Sequence, residues 1–327
     1  MSATASEERR RTMLRTAFGP MIASALADPL VMEVMVNPDG ALRLDRLGYG
    51  RSDTGVRFEA AQIERIVRLV ASHVRAEVNA AAPIVSAELP PEEGRAGERF
   101  EGVLPPVTAS PCFSIRKPAH KVYTLQDYVA DGILSGETAK LLSLAVLHRQ
   151  NILVCGGTSS GKTTLANALL HEMGNLDERV ILIEDTRELC CPALDTVALR
   201  TRAGCVSMAD LVRSTLRLRP DRIIVGEVRG PEALDMLKAW NTGHPGGIAT
   251  IHANSARAAL LRIEQLVQEA VVTVPRQLIS EAIDLIVFIT GRGASRRIDG
   301  LLRLGGLEPD GSYELADISP EPQAQGD

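Results

Sequence analysis

Residues 156–163 read Gly-Gly-Thr-Ser-Ser-Gly-Lys-Thr, a spacing that binds the phosphates of a nucleotide. Gly156, Gly157 and Gly161 let the backbone curl until successive N–H groups face one anion. Thr158, Ser159 and Ser160 form the body of that loop. Lys162 is the cation for the β- and γ-phosphates, and the Thr163 hydroxyl is a ligand for Mg²⁺. Thr164 follows in the first turn of a helix whose positive end faces the same anion. The ligand these types select is ATP with Mg²⁺. A glycine turn can match the spacing by chance, but the flanks here are the ones the chemistry requires. Asn151–Cys155 is an apolar run suited to a buried strand, and Thr164–Leu170 has helical spacing.

Phosphoryl transfer to water also needs a carboxylate near the metal and the attacking water. Arg222-Ile223-Ile224-Val225-Gly226-Glu227 is an apolar strand that ends in one, so Glu227 can orient the water or take its proton. Ile181-Leu182-Ile183-Glu184-Asp185 is a second such strand. Glu184 and Asp185 are candidates to hold hydrated Mg²⁺ from its outer shell. The sequence does not separate their roles from that of Glu188. Ile248–Ile251 is a short strand followed by His252, which can donate to the γ-phosphate; His244, among glycines, is a weaker candidate. A positioned arginine accelerates this chemistry by ~10³ to 10⁵. Arg116, Arg219 and Arg229 are available for it, and each could equally be a solvated charge.

These residues need a scaffold. Strand and helix alternate across the second half of the chain. Strands are expected at Val180–Glu184, Arg222–Val225, Ile248–Ile251 and Leu285–Ile289. Helices are expected at Asp210–Leu218, Glu232–Trp240 and Ala256–Ala270. That alternation predicts an α/β domain with a mostly parallel sheet covered on both faces. Arg296–Leu304 and Ser312–Leu315, about Pro309-Asp310-Gly311, read as an antiparallel hairpin. The first half is a smaller α/β domain. It has a helix over 7–27, strands Val31–Val36 and Ala41–Leu44 about Asn37-Pro38-Asp39-Gly40, a helix over Glu59–Val78, and short strands and loops over 83–111. A charged turn is expected at Glu92-Glu93-Gly94, and a strand at Cys112–Lys117. The expected division is 1–120, a linker over 121–138 with a short helix at Leu125–Val129, and 139–327.

The composition excludes some functions. The chain has 327 residues, a net charge of −5 and only 3% aromatic residues, so direct DNA binding is unsupported by composition. Cys112, Cys155, Cys190, Cys191 and Cys205 contain no C-x-x-C pair, so no zinc site is expected and a reducing compartment is. No stretch reaches the ~20 apolar residues of a membrane span. The start does not read as a signal peptide, so a cytoplasmic chain is expected.

Taken in order, Gly156–Thr163, Ile183-Glu184-Asp185-Thr186, Arg219–Arg229 and Gly243–Asn254 resemble the ATPases of bacterial type II and type IV secretion. Ala27–Gly40, Leu104-Pro105-Pro106 and Ser114–Pro118 extend the resemblance to the conjugal-transfer, TrbB-like branch. The resemblance implies a RecA-like second domain and a homo-hexameric ring. It also implies nucleotide between the two domains, with Arg116 reaching it from the first. The implied role is an ATP-driven motor for pilus assembly or substrate transfer, peripheral at the inner membrane beside other secretion-system subunits. The missing four-cysteine module favours the conjugal branch over pilus-extension motors. Pilus-retraction motors, and an ATP-gated ring with negligible turnover, remain alternatives.

Overall fold

The computed structural model describes residues 3–90, 97–118, 122–202 and 204–319. The turn expected at Glu92-Glu93-Gly94 lies outside them. The chain divides into two compact units, Met1–His120 and Lys121–Asp327.

The first unit contains α1 (Ala3–Ala27), β1 (Val31–Val36), β2 (Ala41–Arg46), β3 (Gly50–Arg57), α2 (Ala60–His73), β4 (Ile84–Glu88), β5 (Arg99–Val103) and β6 (Cys112–Arg116). The strands form one antiparallel sheet in the order β3-β2-β1-β6-β5-β4. Helix α2 buries Ile63, Ile66, Val67 and Val70, one stripe at helical spacing, against the sheet's apolar face. The β1–β2 turn needs glycine at Gly40: φ is 75°, and a Cβ there would meet the Phe58 carbonyl at 2.4 Å. Strand β3 is absent from the sequence reading. It is an exposed edge whose Gly-Arg-Ser-Asp-Thr-Gly run has no apolar alternation to betray it.

The second unit contains α3 (Leu125–Ala130), α4 (Gly136–Leu147), β7 (Ile152–Gly156), α5 (Lys162–His171), β8 (Arg179–Glu184), β9 (Asp195–Arg200), α6 (Met208–Thr215), β10 (Arg222–Val228), α7 (Glu232–Asn241), β11 (Ile248–His252), α8 (Ala256–Gln268), α9 (Arg276–Ala282), β12 (Leu285–Thr290), β13 (Arg297–Leu307) and β14 (Tyr313–Asp317). Sheet order is β14-β13-β12-β7-β11-β10-β8-β9. From β12 to β9 every pairing is parallel, and β13 and β14 close the β12 side as an antiparallel hairpin. The fold is therefore α/β with a mostly parallel sheet. Both faces are covered. Leu153 and Cys155 of β7 pack into one core and Ile152 and Val154 into the other, which is why this strand reads as a continuous apolar run. The stretch 121–138, expected as a linker, carries α3. Its Leu125 and Tyr128 are buried in the second core, so it belongs to the second unit.

At the N-terminal ends of these strands the polar groups are bonded to one another. Arg222 is fully buried; its Nε donates to Glu178 and its Nη1 to the Val146 carbonyl at 2.8 Å, leaving Nη2 without a partner. Asn151 Oδ1 accepts from the N–H groups of Gly246 and Gly247 at 2.9 and 2.8 Å. Asp284 accepts from the Asn151 N–H at 2.7 Å. Among the described residues no helix is long and apolar enough to cross a membrane.

Candidate functional site

The C-terminal ends of parallel strands share one edge, where ligands collect in such sheets. Here that edge holds Gly156 of β7, Glu184 of β8, Glu227 of β10 and His252 of β11. His252 pairs with Gly156 across the β11–β7 ladder, and Ile289 of β12 pairs with Gly156 from the other side.

The loop after β7 is shaped by its small residues. A Cβ on Gly156 would lie 2.3 Å from the Ile289 carbonyl, so the strand end tolerates only glycine. Ser159 has φ 62°. Gly161 has φ 99° and caps α5 in the left-handed conformation. Gly157 faces open space, with no atom within 4 Å of where a Cβ would sit. The Ser160 hydroxyl is buried without a partner. Lys162 is buried; its Nζ donates to the Gly157 carbonyl at 3.0 Å and lies 3.3 Å from His252 Nδ1. Thr163 and Thr164 are half-buried in the first turn of α5. An open loop, an orphan hydroxyl, a lysine and a helix N-terminus together fit a phosphate chain.

Beside Lys162 stands a chain of charges. His252 Nε2 is 2.7 Å from Glu227 Oε1, close contact without hydrogen-bond geometry, since that oxygen is buried and unpartnered. Glu227 Oε2 accepts from Arg229 Nε at 2.8 Å and also from Arg229 Nη2. Arg229 Nη1 is 3.7 Å from Asp185. Burial, then the Lys162 charge, holds the His252 imidazole below its usual pKa against the opposite pull of Glu227. The imidazole is neutral at pH 7. A proton on Nε2 leaves Nδ1 to accept from Lys162.

Glu184 and Asp185 differ. Glu184 is buried, and its Oε1 accepts from the N–H groups of Glu188 and Leu189 at 2.9 and 2.8 Å. Burial pushes its pKa up to about 7. Gly226 packs on it: a Cβ there would approach Glu184 Cγ to 3.0 Å, which explains the glycine before Glu227. Asp185 is exposed and accepts from the Thr201 hydroxyl at 2.8 Å. Among the described residues no group of three or more His, Cys, Asp or Glu could hold a metal ion. The oxygen donors near the loop are the Thr163 hydroxyl and the Glu184 and Asp185 carboxylates, types that could hold a Mg²⁺ only with further oxygens from nucleotide and water.

Two other candidates lie at the far end of the sheet. Arg219 is exposed and precedes β10. It lies at the opposite end of that strand from Glu227, roughly 20 Å away at ~3.3 Å per residue. His244 Nδ1 is 3.0 Å from the Pro220 carbonyl at that same far end. Arg116 is exposed at the end of β6 in the first unit. Two residues went unnoticed in the sequence. Arg292 Nη2 donates to the Thr158 carbonyl at 3.2 Å, and the Arg296 guanidinium lies against Gly161. Their signal was only a pair of arginines in a glycine-rich turn after β12.

The family described as Type II/IV secretion system protein matches residues 21–290. The chain belongs to that family. Its similarity runs nearly end to end with the probable conjugal transfer protein TrbB of Sinorhizobium fredii, at 45% identity over 95% of this chain and 94% of that protein. The conjugal transfer protein TrbB of Rhizobium radiobacter is 44% identical over 94% of each. The crystal structure of the pilus retraction motor PilT with bound ADP shares the fold, with a TM-score of 0.61 over 93% of this chain and 83% of that one at 21% identity.

Proposed function

We propose that this chain is a Mg²⁺-dependent ATPase of a conjugal-transfer or other type IV secretion system. It works as a homo-hexameric ring, peripheral at the cytoplasmic side of the inner membrane and beside other secretion-system subunits, and drives pilus assembly or substrate transfer. One observation carries the chemical part: Glu227, His252 and Lys162 meet at the mouth of the phosphate-shaped loop. The near end-to-end similarity to two TrbB proteins supports the biological part.

In this reading Lys162 leaves the Gly157 carbonyl and bonds the β- and γ-phosphates. The loop N–H groups and the α5 N-terminus hold the rest of the phosphate chain. Glu227 orients a water on the γ-phosphorus and takes its proton as the bond to the β–γ bridging oxygen breaks. His252 donates Nε2–H to the departing phosphate. Thr163, backed by Glu184 and Asp185, would hold a Mg²⁺, which would supply charge neutralisation. Arg229 must release Glu227 first. That ion pair favours one other reading, an ATP-gated ring with negligible turnover, because the base is engaged.

Lys162→Ala is expected to lose nucleotide affinity. Glu227→Gln is expected to bind ATP while phosphate release falls by about 10² to 10⁴. Hydrolysis by Glu227→Gln at the parent rate removes Glu227 from the mechanism. Negligible release by the parent, with and without lipid, selects the gated ring.

A further inference from the structure

The phosphate loop has two flanks. On the β11 side stand His252 and Glu227. On the β12 side stands the turn that follows Thr290, and it brings arginines rather than acids. Arg292 donates to the Thr158 carbonyl. Arg296 lies directly on the loop: a Cβ on Gly161 would fall 2.9 Å from its Nε and 3.0 Å from its Cζ. The absence of that Cβ is what lets a guanidinium rest there.

The Arg296 side chain makes no hydrogen bond or ion pair among the described residues, and its Nε is buried without a partner. A buried guanidinium N–H left unbonded is costly, and such groups commonly wait for a ligand. The flank is built, not frayed. The Ile298 N–H donates to the Ile133 carbonyl at 3.0 Å, fixing the start of β13 beside α3. Tyr128 of α3 is fully buried there, and Arg296's charge acts on its phenol.

We infer that Arg296 is a further nucleotide-binding residue, donating from the β12 flank to the α- and β-phosphates held by its own subunit's loop. The side it stands on sets the assignment. The γ-phosphate belongs with Lys162, His252 and Glu227 on the β11 flank, so a cation across the loop meets the diphosphate part. Arginine suits the task because its planar fork can hold two phosphate oxygens. The inference rests on the nucleotide site proposed above.

The test is equilibrium binding of ADP and of the non-hydrolysable analogue AMP-PNP, with Mg²⁺, to the full chain. Arg296→Gln is expected to weaken both by a similar factor, about tenfold to a hundredfold, with the nucleotide-free melting temperature unchanged. Arg296→Lys, which keeps the charge but not the fork, is expected to recover part of the loss and serves if the first variant is unstable. Unchanged ADP affinity in both variants overturns the inference, as does a loss confined to AMP-PNP. A lowered nucleotide-free melting temperature with unchanged affinity makes Arg296 a brace for the loop instead. Lys162→Ala, run in parallel, separates the two failures: if it too binds normally, the nucleotide site itself is wrong.

Discussion

The two ends of the parallel sheet carry similar residues in opposite conditions. At the N-terminal end, Arg222 is bonded to Glu178 and to a carbonyl with its Nη2 alone left over, and Asn151 and Asp284 bond backbone N–H groups across strands. At the C-terminal end, the Ser160 hydroxyl, Glu227 Oε1 and Arg296 Nε are buried without partners. Burying an unbonded polar group costs about 1–3 kcal/mol. One end uses its polar groups to hold strands together; the other leaves them unbonded, as the proposed nucleotide site requires. The contrast teaches which end of the same sheet is scaffold and which is site.

Substitutions at the two ends should then move stability in opposite directions. Glu178→Gln leaves the fully buried Arg222 without its counter-charge, and should cost about 3–5 kcal/mol in denaturant unfolding. Nucleotide affinity under native conditions should survive in that variant. A loss below about 1 kcal/mol would erase the contrast from the scaffold side.

Glu184 sharpens the contrast through pH. Its pKa stands near 7 in the folded chain against an ordinary 4.5, so between those values the folded state holds a proton that the unfolded state has released. Stability therefore falls as pH rises across that window, by at most about 3 kcal/mol. Glu184→Gln should flatten the fall and be the more stable protein at pH 8 without nucleotide. An unchanged pH profile would show that Glu184 ionises freely.

The smallest effect is expected at Ser160. Ser160→Ala removes an unbonded buried hydroxyl, and should raise nucleotide-free stability by about 1 kcal/mol. Destabilisation on removing it would mean that the hydroxyl is already bonded, and the site end would look like the scaffold end.

Much of this was legible from residue types. The Gly156–Thr163 spacing placed the loop, and Glu227 and His252 stood out as polar residues ending apolar runs. Strands β3 and β9 did not stand out, because edge strands lack the two-sided burial that writes an apolar pattern. Arg292 could not be read at all: its partner Thr158 is 134 residues away, and nothing local marks the pair. The condition of Glu184 was also hidden, since its burial, with Gly226 of the neighbouring strand packed on it, is a tertiary fact.

His252, Gly156 and Ile289 lie in one row across three strands. Sliding β11 past β7 by a single residue would turn His252 to the opposite face of the sheet. The sheet therefore acts as an anvil and not as a moving part. If the chain is the nucleotide-driven motor proposed above, its movement must pass through the turns at the sheet's rim, of which the ones bearing Arg229 and Arg296 already touch Glu227 and the loop at Gly161.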